Sequence, residues 1–241
     1  MTTEEFDKFG RKFRAVEPAS IGLPKHTLHT FRDDEPTLER WCRSIKEGDY
    51  VVDAGAHSGS YALPALVAGA YVLAFEPSDE GFKILRENFV VNGGAFIVDQ
   101  WVRKEALWDG TEYPKELAAQ VFADEHYPAS ELKTVRLDDD YPWWSEGLDW
   151  VKLDVEGAEL GAVRGMLRLL ERWKPTLLIE LHQGVSDDPN DQVSRYPETV
   201  DSNREISMLL RGLGYAAPEL VLHDVSRWYA WCAHPSRRLG N

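Results

Sequence analysis

Short apolar runs and amphipathic stretches alternate along most of this chain, with glycine, proline or acidic residues at the joins. The runs YVVDA (50–54), YVLAF (71–75), AFIVDQWV (95–102), LKTVRL (132–137), DWVKLD (149–154) and TLLIELH (176–182) have strand length. Between them the apolar positions recur at helical spacing. Leu38, Trp41 and Ile45 mark a helix over 37–45, and a small-residue helix follows over 60–68. Pro64 falls near the first turn of that helix, where a missing N–H costs least. Ser78 is placed to cap a third helix whose Phe82, Leu85 and Phe89 share one face, and Asn92-Gly93-Gly94 ends it. Leu160, Val163, Leu167 and Leu170 predict one amphipathic helix ending near Trp173, and 205–215 predicts another with a glycine stop. Runs 219–223 and 227–233, joined by Asp224-Val225-Ser226, read as an antiparallel hairpin at the sheet edge.

The order strand, loop, helix, strand, helix builds right-handed crossovers and a parallel sheet. The expected fold class is α/β, in one domain of 241 residues. Within it, 1–36 is polar, carries Pro18, Pro24 and Pro36, and reads as an N-terminal arm or lid over a core of 37–241. Pro114 and Pro128 break any long element in 103–131. The polar stretch 183–204 is a long loop, of the kind that is usually functional or mobile.

Composition narrows the function classes. Acids outnumber bases 41 to 27, a formal charge of −14. That disfavours a broad nucleic-acid surface, since such affinity comes from Lys and Arg. No stretch approaches the roughly 18 apolar residues of a membrane span, and the charged N-terminus has no secretory pattern. Cys42 and Cys232 lie far apart in sequence, which suggests reduced thiols in a cytoplasmic protein. The nine tryptophans suit core packing, with some placed to stack on a sugar or an aromatic ring. Tyr141, Trp143, Trp144, Trp228, Tyr229 and Trp231 are candidates for an acceptor wall.

Chemistry concentrates in two places. VVDAGAHSG carries Asp53 at a strand end, then Gly55 and Gly59 in a G-x-x-x-G loop, which is not the dinucleotide fingerprint. Glycine would let a ligand approach the backbone closely. Glu76 ends the next strand, where a carboxylate suits the two hydroxyls of a ribose. Asp53 is suited to a cationic or N–H-bearing ligand, and the set points to S-adenosylmethionine. The second place is WVKLDVEGAEL (150–160), where Lys152, Asp154, Glu156 and Glu159 interrupt or follow an apolar strand.

These stretches resemble the FkbM-type S-adenosylmethionine-dependent methyltransferases. VVDAGAHSGSYALPAL is similar to their first motif and AFEPSDEGFKILRENFVVNG to their second. The K-x-D-V-E-G-x-E run and the E-x-H ending of TLLIELH carry the most specific likeness. The likeness covers roughly 50–182, with His57 standing where the family commonly has Asn. It implies a Rossmann-like class I fold: a seven-stranded, mostly parallel sheet with helices on both faces and an antiparallel last strand. It also implies O-methylation of a sugar or other hydroxyl. EALWDG (105–110) resembles a segment beside the adenine, which adds Ala106 and Leu107 to the cofactor residues Asp53, Gly55, His57, Gly59, Glu76 and Asp154.

Residues two apart on a strand point to one face. Lys152 therefore shares a face with Asp154, and Glu180 with His182. If the two strands are parallel neighbours, as the family implies, their carboxyl ends meet at the cleft. The expectation pairs Lys152 with Glu180, a pairing that can equally be structural, and leaves Asp154 and His182 facing the acceptor. His182 is the first choice of general base, because histidine titrates near neutrality. Asp154 would orient the acceptor or assist as base. Glu156 and Glu159 either grip acceptor hydroxyls or favour a helix N-terminus. Asp154, Glu180 and His182 would also suit Mg²⁺ or Mn²⁺, but no metal is assigned. The expected partner is a saccharide or other small-molecule acceptor. Its rivals are a nitrogen or carboxylate acceptor, a nucleotide or nucleic acid, and a cofactor-binding protein without turnover.

Overall fold

The computed structural model describes residues 1–23, 31, 36–94, 101–114, 132–143, 145–182, 199–222 and 227–236. The chain opens with a hairpin, β1 (Thr3–Lys8) and β2 (Arg11–Val16), and then helix α1 (Pro36–Ser44). β3 (Tyr50–Ala54), α2 (Ala62–Val67), β4 (Tyr71–Phe75), α3 (Asp79–Phe89) and β5 (Val102–Arg103) form the first half. β6 (Ala106–Leu107) and β7 (Thr134–Val135) make a small separate sheet. The second half runs β8 (Trp150–Leu153), α4 (Glu159–Arg164), α5 (Leu167–Trp173), β9 (Thr176–His182) and α6 (Thr199–Gly212). β10 (Glu219–Leu222) and β11 (Arg227–Cys232) close it.

The main sheet has seven strands in the order β10-β11-β9-β8-β3-β4-β5. Five are parallel, while β11 is antiparallel to both β9 and β10. This is the expected mostly parallel sheet with a C-terminal antiparallel hairpin. Its strands are apolar on both faces because both faces are covered. Val51, Val72, Ala74 and Leu178 pack with α1, α2, α3 and the N-terminal hairpin. Val52, Leu73, Val151, Leu153 and Ile179, one residue out of phase, pack with α4, α5 and α6.

Ser78 caps α3 as expected, its Oγ accepting from Gly81 N at 3.1 Å. A Ser78→Ala protein is expected to lose about 1 kcal/mol, as is usual for a cap. The midpoint of urea unfolding would measure it, and no loss would show the cap to be idle.

Several expectations change: the last helix begins at Thr199, inside the expected 183–204 loop, and the expected 132–137 strand keeps only Thr134–Val135. The single helix over 160–173 is two, α4 and α5, because the chain breaks where it meets Trp108. A Cβ on Gly161 would lie 2.0 Å from the Trp108 ring, and one on Gly165 would lie 2.2 Å from the Trp108 carbonyl oxygen. Part of the N-terminal arm is the β1–β2 hairpin, docked on α3. Asn88 Oδ1 accepts Val16 N at 2.7 Å, and Asn92 Oδ1 accepts Arg14 N at 2.8 Å. Residues 24–30 and 32–35 of that arm, like 95–100 of the third expected strand and Trp144, lie outside the described residues. Finally, Tyr141 and Trp143 do not wall an acceptor pocket. Trp143 packs on Tyr50 and Tyr71, the first residues of β3 and β4, at the opposite edge of the sheet from the loops after these strands.

Candidate active site

Strand order reverses between β3 and β8, and open α/β sheets bind ligands beyond the carboxyl ends of strands at such a point. The two chains leave the sheet there almost in contact. Gly55 has φ +73°, and a Cβ on it would lie 1.7 Å from the Asp154 carbonyl oxygen. Gly55 is therefore a glycine because the end of the neighbouring strand crosses it, not to admit a ligand. Gly59, at φ +100°, packs on Leu63 and Leu85.

The amides of the loop are already used. Gly55 N and Ala56 N both donate to Phe75 O at 3.0 Å, His57 N to Glu76 Oε2 at 2.8 Å, and Gly59 N to Ala56 O at 2.7 Å. A pyrophosphate would need such amides as donors, whereas a cationic nucleoside would not. His57 sits at φ +46°, a region that Asn and His enter more readily than most residues. A histidine can thus replace the family's common Asn.

Glu76 is buried and receives three donors: His57 N on Oε2, and Ser78 N and Ser78 Oγ on Oε1 at 2.9 and 2.6 Å. A carboxylate offers about four acceptor positions, so Oε2 has room for one hydroxyl of a ribose. Ala106 and Leu107 are buried in β6, whose flanking amides are held by Lys133 O and Val135 O. Acids around the loop and the absence of a free amide cradle at Gly55, Ala56, His57 and Gly59 fit S-adenosylmethionine.

The charged residues of the second motif form one row across four strands. Strand register sets Asp53 beside Lys152, Lys152 beside Leu178, and Glu180 opposite Tyr229. Asp154, two residues past Lys152, comes level with Glu180. In place of the expected Lys152–Glu180 ion pair, the lysine pairs with Asp154 and Asp53, and Glu180 adds only a smaller attraction. Lys152 Nζ donates to Gly55 O at 2.9 Å and lies 3.2 Å from Asp154 Oδ2 and 3.5 Å from Asp53 Oδ1. The reason is register: the direct neighbour of Lys152 on β9 is Leu178, and its charged neighbour is on β3. Burial alone would lower the lysine's pKa, but Asp154 and Asp53 outweigh it and hold the ammonium above its ordinary value. Burial pushes the Asp53 carboxyl up, and Lys152 opposes that.

Asp154 is the more open member, with 24% of its side chain exposed against 0% for Asp53. Tyr229 Oη donates to Asp154 Oδ2 over a long 3.4 Å. The sequence offered Tyr229 only as a candidate for an acceptor wall, not as a partner of Asp154. Alternation along β11 was the available signal; the register that brings it to Asp154 was not. Glu159 is turned inward, its Oε1 accepting Val155 N and Gly157 N at 3.2 Å each. It holds the turn after β8 and does not reach out to an acceptor. Glu156, at φ +53°, stands with Asp154 and Glu180, their carboxylate oxygens within 4.8 Å of one another. His182 closes β9 opposite Arg227; its side chain lies outside the described residues, as do 183–198 of the long loop.

Comparison with known proteins agrees with this architecture. The chain is 27% identical over 193 residues to hexuronic acid methyltransferase AglP of Haloferax volcanii, covering 76% of each protein. The crystal structure of methyltransferase FkbM from Methylobacillus flagellatus superposes with a TM-score of 0.54 at 17% identity. That match covers 77% of this chain but only 44% of the other, so this chain spans less than half of it. The methyltransferase FkbM domain matches residues 53–216, from the Asp53 loop through β9 and α6. The chain therefore belongs to the FkbM family of S-adenosylmethionine-dependent methyltransferases.

Proposed function

We propose that this protein methylates a hydroxyl of a saccharide or glycosylated natural product. The observation that carries this reading is Asp154: a partly exposed carboxylate, backed by a buried lysine, at the switch point beside the Gly55–Gly59 loop. Bound S-adenosylmethionine supplies an electrophilic methyl on a sulfonium. Glu76 holds one ribose hydroxyl. His182 takes the proton of the reacting hydroxyl, and Asp154 orients the acceptor by accepting a hydrogen bond from a neighbouring hydroxyl of the sugar. Glu156 at the rim and the buried Glu180 behind it bring further carboxylates to the site, which favour a cationic sulfonium. Alignment of the two reactants is worth up to about 7–11 kcal/mol. No helix among the described residues is long and apolar enough to cross a membrane. Both cysteines are free and buried, which supports a reaction in the cytoplasm.

The name of the Haloferax relative supports a sugar acceptor and leaves the reacting oxygen to experiment. The protein with S-adenosylmethionine and a panel of hexoses, hexuronic acids and amino sugars should form S-adenosylhomocysteine and a methylated sugar, both read by mass spectrometry. A methyl group that survives mild alkali is an ether and supports the reading. One lost to alkali is an ester, and one found on nitrogen an amine; either outcome would replace it.

A further inference from the structure

Lys152 has three N–H groups and three oxygens around them, and these oxygens belong to different parts of the site. Gly55 O, at 2.9 Å, is the first carbonyl of the loop after β3. Asp154 Oδ2, at 3.2 Å, belongs to the first residue after β8. Asp53 Oδ1, at 3.5 Å, is enclosed in the sheet. The lysine is only 2% exposed, so water has little access to replace any of the three. A buried ammonium that loses a partner is strongly penalised. The backbones are coupled at the same point: Asp154 N donates to Ala54 O at 3.1 Å, and the α-carbon of Gly55 lies against the Asp154 carbonyl.

We propose that Lys152 is a positioning residue that couples occupancy of the cofactor loop to the placement of Asp154. This rests on the reading of the cleft given above and adds to it a direction of communication. A ligand that shifts Gly55 moves an oxygen of the lysine, and the lysine is bound to the carboxylate that faces the acceptor. By linkage, if bound cofactor changes the affinity for an acceptor held by Asp154, the acceptor must change cofactor affinity by the same factor. Cofactor and acceptor then bind cooperatively, without an acceptor group touching the cofactor loop.

A double-mutant cycle on S-adenosylhomocysteine affinity, read by calorimetry, tests this. Coupling between sites is typically about 5–150-fold, so Asp154→Asn should change the affinity at least about fivefold when Lys152 is present. In a Lys152→Met background the same substitution should have little effect. Lys152→Met leaves two carboxylates together, so Asp53→Asn/Lys152→Met, which removes the buried pair, serves as a second background. If neither background folds, hydrogen exchange on the wild type decides: S-adenosylhomocysteine must slow exchange at the Asp154 and Val155 amides. An equal effect of Asp154→Asn in both backgrounds, no effect in either, or unchanged exchange overturns the coupling. Failure of the wild type to bind S-adenosylhomocysteine would overturn the cofactor assignment instead.

Discussion

A Gly55→Ala protein is expected to lose about 2–5 kcal/mol of stability and most of its affinity for S-adenosylhomocysteine. Two costs combine. The first is conformational: at φ +73° an L-residue with a Cβ costs roughly 1–2 kcal/mol. The second is steric. The new methyl would lie 1.7 Å from Asp154 O and 2.8 Å from Asp154 C, which are backbone atoms fixed by strand pairing. Forcing an extra methyl into such packing costs about 1–3 kcal/mol. Separating β3 from β8 to make room would stretch the Asp154 N to Ala54 O bond and pull Gly55 O from Lys152. Gly22→Ala is the control. Gly22 has a similar φ, +77°, but a Cβ on it meets nothing within 4 Å. It should show the conformational cost alone, with cofactor binding intact. Chemical denaturation of the two variants separates the terms. Equal losses would mean that the Asp154 carbonyl yields freely and that the strand crossing does not hold the site.

The sequence showed which face each charge would take more reliably than which partner it would meet. Period-2 alternation placed Lys152 with Asp154 and Glu180 with His182, and the structure keeps Lys152, Asp154, Glu180 and Tyr229 in one row. Pairing depends on register and on strand order. Lys152 has a strand on either side, and only the sheet shows that Asp53 is level with it while Glu180 lies two residues further along. The same limit explains the helices. Leu160, Val163, Leu167 and Leu170 have one continuous period, and nothing local shows that Trp108 presses on Gly161 and Gly165. Tertiary contact overrides periodicity there. The β1–β2 hairpin was missed for a local reason. Its turn is Phe9-Gly10, both at positive φ, in place of the Asn-Gly or Asp-Gly that signals such turns. In contrast, β3, β4 and β9 were legible to the residue, because each is an apolar run bounded by a glycine, proline or polar break. Glu159 was legible as a residue near a helix start, but its inward turn onto Val155 N and Gly157 N was not.

A His182→Ala protein is expected to bind S-adenosylhomocysteine like the wild type and to turn over about 10²–10⁴-fold more slowly, the usual worth of a positioned base. Several neighbouring charged groups are poorer candidates for the base. Lys152 is held protonated by Asp154 and Asp53 and has no lone pair to offer. Asp53 is fully enclosed and cannot reach an acceptor. Glu159 is buried and turned inward, its Oε1 held by two amides. Asp154 already accepts from Tyr229 and faces the Lys152 ammonium on the same oxygen, an arrangement that suits orienting an acceptor. An alcohol needs a partner that is neutral and basic near pH 7, which is what an ordinary histidine provides. His182 ends β9 two residues beyond Glu180, and alternation along a strand would set the two on one face. Turnover measured beside thermal unfolding and calorimetric binding keeps the chemical role apart from a loss of fold. A nearly unchanged turnover would move proton removal to Asp154. Asp154→Asn would then carry the loss, and Lys152 and Tyr229 would be tuning a base instead of holding an orienting carboxylate.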